Sequence, residues 1–153
     1  KVMDAGRLEA SLAYRAGADW VSVLGVAADA TVRGVVEAAS AADGRVLVDL
    51  IGCPDIPARA AELLRLGADV LCVHTAFDRQ QDGADPLEEL SQLLEVTPAE
   101  RAAVAGGIKP ETLPAVREFA PQIVVVGGFL AHHHQPREAA REIRELLMGE
   151  QVP

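Results

Sequence analysis

Five short apolar runs constrain this chain more than any other feature. They are DWVSVLG (19–25), RVLVDLI (45–51), DVLCVHT (69–75), AAVAGGI (102–108) and IVVVGG (123–128). Each is nearly continuous in Val, Leu, Ile or Ala, which is the composition of a strand covered on both faces. The segments between them carry helical spacing. Leu87, Leu90 and Leu94 form one stripe, behind Asp85 as a cap and Pro86 at the first helical position. Ala139, Ile143, Leu146 and Leu147 form a second behind Pro136, and Leu8, Leu12 and Ala16 form a third that Gly17 ends. One signature occurs twice, as AYRAGADWV (13–21) and LLRLGADVL (63–71). Both copies read as a helix stopped by Gly, a short turn, and a strand that opens after Asp. Alternation of this kind over the whole length means a parallel α/β fold.

No linker, low-complexity tract or charge block interrupts that rhythm, so residues 1–153 read as one domain. Three Phe, one Trp and one Tyr give little aromatic volume, so aliphatic side chains must fill the core. The formal net charge is −9 and no basic run occurs. Nucleic acid and anionic membrane are excluded as expected partners, because neutralising phosphates needs clustered Lys and Arg. A phosphorylated small molecule is still compatible, since backbone N–H groups can hold it. Cys53 and Cys72 lack metal-site spacing, and Cys72 lies inside an apolar run as a small buried hydrophobe would. Neither a signal peptide nor a membrane span is recognisable, so a cytoplasmic protein is expected.

The polar residues decide between the two parallel architectures. Asp49, His74, Gly106 with Gly107, and Gly127 with Gly128 gather at the carboxyl ends of the runs. A (β/α)8 barrel builds its active site on that face from successive strands. A doubly wound sheet would concentrate them at one switch point behind a Gly-rich first turn, which is missing here. The barrel is therefore expected, though five runs account for fewer than its eight strands.

Two Gly-Gly turns, in AVAGGIKPETLP (103–114) and VVVGGFLAHHHQP (125–136), end the last two runs. Barrels often bind phosphate with backbone N–H groups after their final strands, where a side chain would block close approach. Gly106, Gly107, Gly127 and Gly128 are accordingly the expected phosphate cradle. His74 stands at a strand end and can exchange protons near neutral pH. Asp49 is flanked by apolar residues, so its carboxylate requires a cation, a metal or a substrate hydroxyl. His132, His133 and His134 are consecutive and cannot all face one metal, so they read as a loop beside the phosphate site.

Taken together, KVMDAG, VSVLGVAADATVRGVVEAA, VLVDLIG, VHTAFDRQ, VAGGIKPETLP and VVVGG resemble the 3-hexulose-6-phosphate synthases. Those enzymes belong to the orotidine 5'-phosphate decarboxylase suprafamily of (β/α)8 barrels. An Asp-x-Lys-x-x-Asp motif closes the third strand there, and the resemblance makes Lys1 and Asp4 its Lys and final Asp. It also implies that the chain holds strands four to eight of an N-terminally incomplete barrel. The implied reaction is a reversible aldol addition of formaldehyde to ribulose 5-phosphate, assisted by magnesium. Lys1 would hold developing charge, His74 would move protons, and Asp49 would support them. Asp4 would reach the partner's site in a homodimer, and the metal-binding carboxylates would precede Lys1.

Two other readings are open. A 3-keto-L-gulonate-6-phosphate decarboxylase uses a similar enediolate, but carries Arg where this chain has Phe77 and Gly128. A non-catalytic barrel fragment or dimerising scaffold is the alternative of another class, since an open sheet exposes two edges.

Overall fold

A computed structural model describes residues 1–81 and 83–149. Its centre is one five-stranded sheet of β1 (Trp20–Leu24), β2 (Arg45–Asp49), β3 (Val70–His74), β4 (Ala102–Ala105) and β5 (Ile123–Val125). All four pairings are parallel and follow chain order. Each strand lies inside its apolar run and stops one to three residues short of the run's end, and the Gly-Gly turns follow β4 and β5. Val2 adds a single parallel bridge to Val23 on the outer side of β1. That bridge brings Lys1 to the carboxyl end of the sheet, beside the ends of β2 and β3.

The helices are α1 (Gly6–Arg15), α2 (Asp29–Ala42), α3 (Ile56–Leu66), α4 (Phe77–Gln81), α5 (Pro86–Leu94), α6 (Leu113–Phe119), α7 (Gly128–Ala131) and α8 (Pro136–Met148). Local chemistry sets their ends. Asp55 accepts a hydrogen bond from Ala58 N at 3.0 Å and Asp85 one from Leu87 N at 2.9 Å, satisfying N–H groups that a helix start leaves free. The repeated signature folds twice in the same way. Gly17 (φ 95°) and Gly67 (φ 99°) take the left-handed conformation. The next residues then bond back, Ala18 N to Ala13 O and Ala68 N to Leu63 O, each at 3.1 Å.

The two faces of the sheet differ. Val46, Val48, Leu71, Val73 and Val104 pack with helix residues such as Val35, Leu63, Leu90 and Leu113 in the main core. The alternate residues Val70, Cys72, Ala103 and Ala105, with Leu47 and Ile123, form a separate cluster containing no helix residue. Helices therefore cover one face only, as in a barrel wall, and a doubly wound sheet is ruled out. Asp49 and His74 share the parity of the second face, which puts both side chains on the helix-free side.

One sequence expectation fails. The Leu8, Leu12, Ala16 stripe does not face the core: Leu8 is 62% exposed and Leu12 52%. Gly6, Ala10 and Tyr14 are buried instead. The reason is a close crossing of α1 over α2. A Cβ on Gly6 would lie 2.0 Å from Thr31 O, and one on Gly34 would lie 2.7 Å from Arg7 N. Backbones that near admit Gly and Ala, not Leu. Among the described residues no helix is long and apolar enough to cross a membrane.

Candidate active site

Three side chains from distant parts of the chain meet at the carboxyl end of the sheet. Asp49 closes β2, His74 closes β3, and Lys1 arrives on the segment that bridges to β1. Lys1 Nζ lies 2.5 Å from Asp49 Oδ2 and 3.0 Å from His74 Nδ1. His74 Nδ1 is 2.9 Å from the same Asp49 oxygen. The other oxygen, Oδ1, accepts from Ile51 N at 2.9 Å. Asp49 is only 3% exposed. Burial alone would raise its pKa, but the hydrogen bonds from Lys1, His74 and Ile51 N hold it below the usual carboxylate range. Of the cation, metal or substrate hydroxyl expected beside Asp49, the structure places a cation there, Lys1.

Asp49 also fixes the imidazole. When Nδ1–H donates to Oδ2, the lone pair sits on Nε2, which has no protein partner among the described residues. A base of that kind, beside an ammonium ion, can take a proton from carbon while the cation holds the charge left behind. Cys72 is no competitor: burial, then the Asp49 charge, push its thiol up to about 12. The Sγ–H donates to Val73 O at 3.4 Å. Asp4 stands outside the cluster, its Oδ1 accepting from Ala5 N at 2.7 Å.

A cavity of about 580 Å³ opens beside His74. Gly106, Gly107, Gly127 and Gly128 all line it, as do Phe77, Gln80, Lys109 and His132. The four glycines expected to act together thus share one pocket with the candidate base. His132 flanks it, with Nδ1 2.9 Å from Gly128 O, while His133 and His134 stack on each other at 4.6 Å. That agrees with a loop beside the pocket. Sequence reasoning passed over Lys109 and Gln80. Lys109 had a signal, being a lone cation two residues beyond a Gly-Gly turn.

The described residues include no group of three or more His, Cys, Asp or Glu able to hold a metal. Asp49, the carboxylate in the cluster, already uses both oxygens. The residues present do not constitute a magnesium site.

Residues 1–143 match the model of the orotidine 5'-phosphate decarboxylase / HUMPS family. A 3-hexulose-6-phosphate synthase from Staphylococcus haemolyticus is 43% identical over 149 residues, covering 97% of this chain and 71% of that protein. The crystal structure of 3-hexulose-6-phosphate synthase from Salmonella typhimurium superposes with a TM-score of 0.91 at 40% identity, covering 99% of this chain and 72% of the other. A 3-keto-L-gulonate-6-phosphate decarboxylase from Vibrio cholerae shares the fold, with a TM-score of 0.80 at 22% identity, covering 99% of this chain and 71% of that one. This chain belongs to the orotidine 5'-phosphate decarboxylase / HUMPS family.

Proposed function

We propose that the chain is a 3-hexulose-6-phosphate synthase, adding formaldehyde to D-ribulose 5-phosphate to give D-arabino-3-hexulose 6-phosphate, reversibly. The observation that carries this reading is the Lys1–Asp49–His74 triangle, whose His74 lines one cavity together with both Gly-Gly turns. The 43% and 40% identities to synthases support it over the decarboxylase, which shares only the fold at 22%. Phe77 and Gly128 support it too, since both line the cavity where the decarboxylase resemblance requires Arg.

In this reading the phosphate lies against the backbone of Gly106, Gly107, Gly127 and Gly128. The ketose then extends toward β3. His74 Nε2 removes a proton from C1, and the electron pair becomes the C1–C2 double bond as the carbonyl oxygen takes negative charge. The Lys1 ammonium stabilises that oxygen. C1 next attacks the formaldehyde carbon, the C–O π pair moves to the formaldehyde oxygen, and that oxygen takes the proton from His74. The C2 carbonyl re-forms as the third carbon of the new chain. Asp49 holds both partners in position and keeps the imidazole in the tautomer required. The magnesium implied by the resemblance would need carboxylates outside the described residues, and no step here passes through it.

The finer organisation belongs to the same proposal. We read the sheet as strands four to eight of a (β/α)8 barrel and residues 1–153 as one barrel domain. The single-faced helix layer and the Val2–Val23 bridge beyond β1 support this. A cytoplasmic homodimer, with Asp4 directed to the partner's site, completes the setting. The test is consumption of ribulose 5-phosphate by the full chain with magnesium present. Consumption that depends on formaldehyde is expected. Its absence, with carbon dioxide released from 3-keto-L-gulonate 6-phosphate instead, would replace the synthase reading.

A further inference from the structure

Glu89, on α5, is a carboxylate buried away from the reacting groups, and it uses both oxygens. Oε2 accepts from Thr75 Oγ1 at 2.8 Å and Oε1 from Arg79 Nη1 at 2.9 Å. Burying a carboxylate without partners is costly, so this pair of bonds is what makes the position tolerable. Thr75 is fully buried and follows His74 directly. Its N–H donates to Ala105 O at 3.2 Å, on the strand that leads into Gly106. Its carbonyl accepts from Gln80 Nε2 at 2.8 Å. A Cβ on Gly106 would stand 2.2 Å from that same carbonyl. Three residues lining the cavity, His74, Gln80 and Gly106, therefore converge on Thr75.

We infer that Glu89 is a positioning residue for this site, holding the end of β3 against the Gly106 turn through the Thr75 hydroxyl. The inference rests on the sugar-phosphate reading of the cavity. The brace sets the distance between the proton-transfer group and the phosphate cradle, and therefore where C1 lies relative to His74. Misplacement by about 1 Å can cost on the order of 100-fold in rate.

The test compares Thr75→Val, Thr75→Ser, Glu89→Ala and Val35→Ala in the full chain. Val35 is fully buried in α2, far along the chain from these contacts, and serves as a destabilised control. Thr75→Val, an isostere with a methyl in place of the hydroxyl, is expected to lower kcat/KM for ribulose 5-phosphate about tenfold, the cost of a shift smaller than 1 Å. Thr75→Ser should recover most of that loss, and Glu89→Ala should match or exceed it. Val35→Ala should lower the melting temperature while leaving kcat and KM of the folded protein unchanged. Should Glu89→Ala fail to fold, Thr75→Val still decides. The 15N resonances of the His74 imidazole read the same brace without turnover, and Thr75→Val should shift them where Val35→Ala does not. Kinetics and resonances unchanged in Thr75→Val would overturn the inference. A wild type with no formaldehyde-dependent turnover would overturn the synthase reading instead, leaving the resonances to judge the brace.

Discussion

The two Gly-Gly turns look alike in sequence and line the same cavity, yet they are glycine for different reasons. Gly106 and Gly107 both have positive φ, 89° and 69°. A side chain on Gly106 would collide with Thr75 O, and one on Gly107 would press on Gln80 Oε1 at 3.1 Å. Gly127 has φ −108°, and a Cβ there would meet nothing within 4 Å. Gly128 begins a helical turn, and its Cβ would reach only His132 Nδ1, at 3.9 Å. The first pair is required by the backbone and its neighbours. The second meets no such requirement from the chain itself, so under the proposed function it is a bound phosphate that would exclude a side chain there.

The largest effect expected from this difference is in the first pair. Gly106→Ala must either leave its positive-φ conformation or push the Thr75 carbonyl aside, and each is strained. We expect a loss of roughly 3 kcal/mol or more in urea unfolding, combining backbone strain with overpacking. An unchanged midpoint would remove the distinction between the pairs. Lys1→Ala probes the cluster around His74, beside the cavity. Under the proposed mechanism it removes a charge-stabilising group, so kcat should fall ~10²–10³ with a smaller change in KM. A pure KM effect would make Lys1 a substrate anchor.

Gly128→Val sharpens the comparison from the other side. Its stability should stay within about 0.5 kcal/mol of wild type, as for a substitution whose Cβ makes only an ordinary contact, with His132. Its KM for ribulose 5-phosphate should rise about tenfold, corresponding to ~1.4 kcal/mol of lost binding. An unchanged KM in the folded variant would take the phosphate away from this turn.

Sequence alone could not separate the two pairs, because backbone sign and neighbouring atoms are not written in a Gly-Gly dipeptide. What it did convey was set by local chemistry. The strands, the Asp85 cap and both Gly-Ala-Asp turns depend on residues within a few positions of one another, and they fold as read. The inward face of α1 depends on how closely another helix approaches, so Gly6 and Ala10 took the place given to Leu8 and Leu12. Lys1, Asp49 and His74 were legible as candidates through the resemblance and their place at strand ends. Their mutual contacts were not, since these join residues 25 and 73 positions apart. Glu89 left a faint trace. It lies among the buried positions Pro86, Leu90 and Leu93 of α5, where an unpaired carboxylate would not be expected.

The smallest effect concerns acid, and it tests whether the Asp49 cluster stands apart from both glycine turns. The Asp49 carboxyl is held below its ordinary range in the folded chain, against burial, by Lys1, His74 and Ile51 N. An unfolded Asp titrates near about 3.9. The folded chain therefore binds fewer protons at this position than the unfolded chain just below that pH. Its contribution to stability is complete above about pH 4 and is lost as pH falls through the lower, folded value. Asp49→Asn deletes this titration, while Gly128→Val leaves it in place. Urea midpoints measured between pH 5 and pH 2.5 should therefore fall less steeply for Asp49→Asn than for wild type, although the variant starts from a lower midpoint. Gly128→Val should follow the wild-type slope. Equal slopes for wild type and Asp49→Asn would mean that other carboxylates govern acid unfolding, and that the Lys1–Asp49 ion pair adds nothing measurable to the fold.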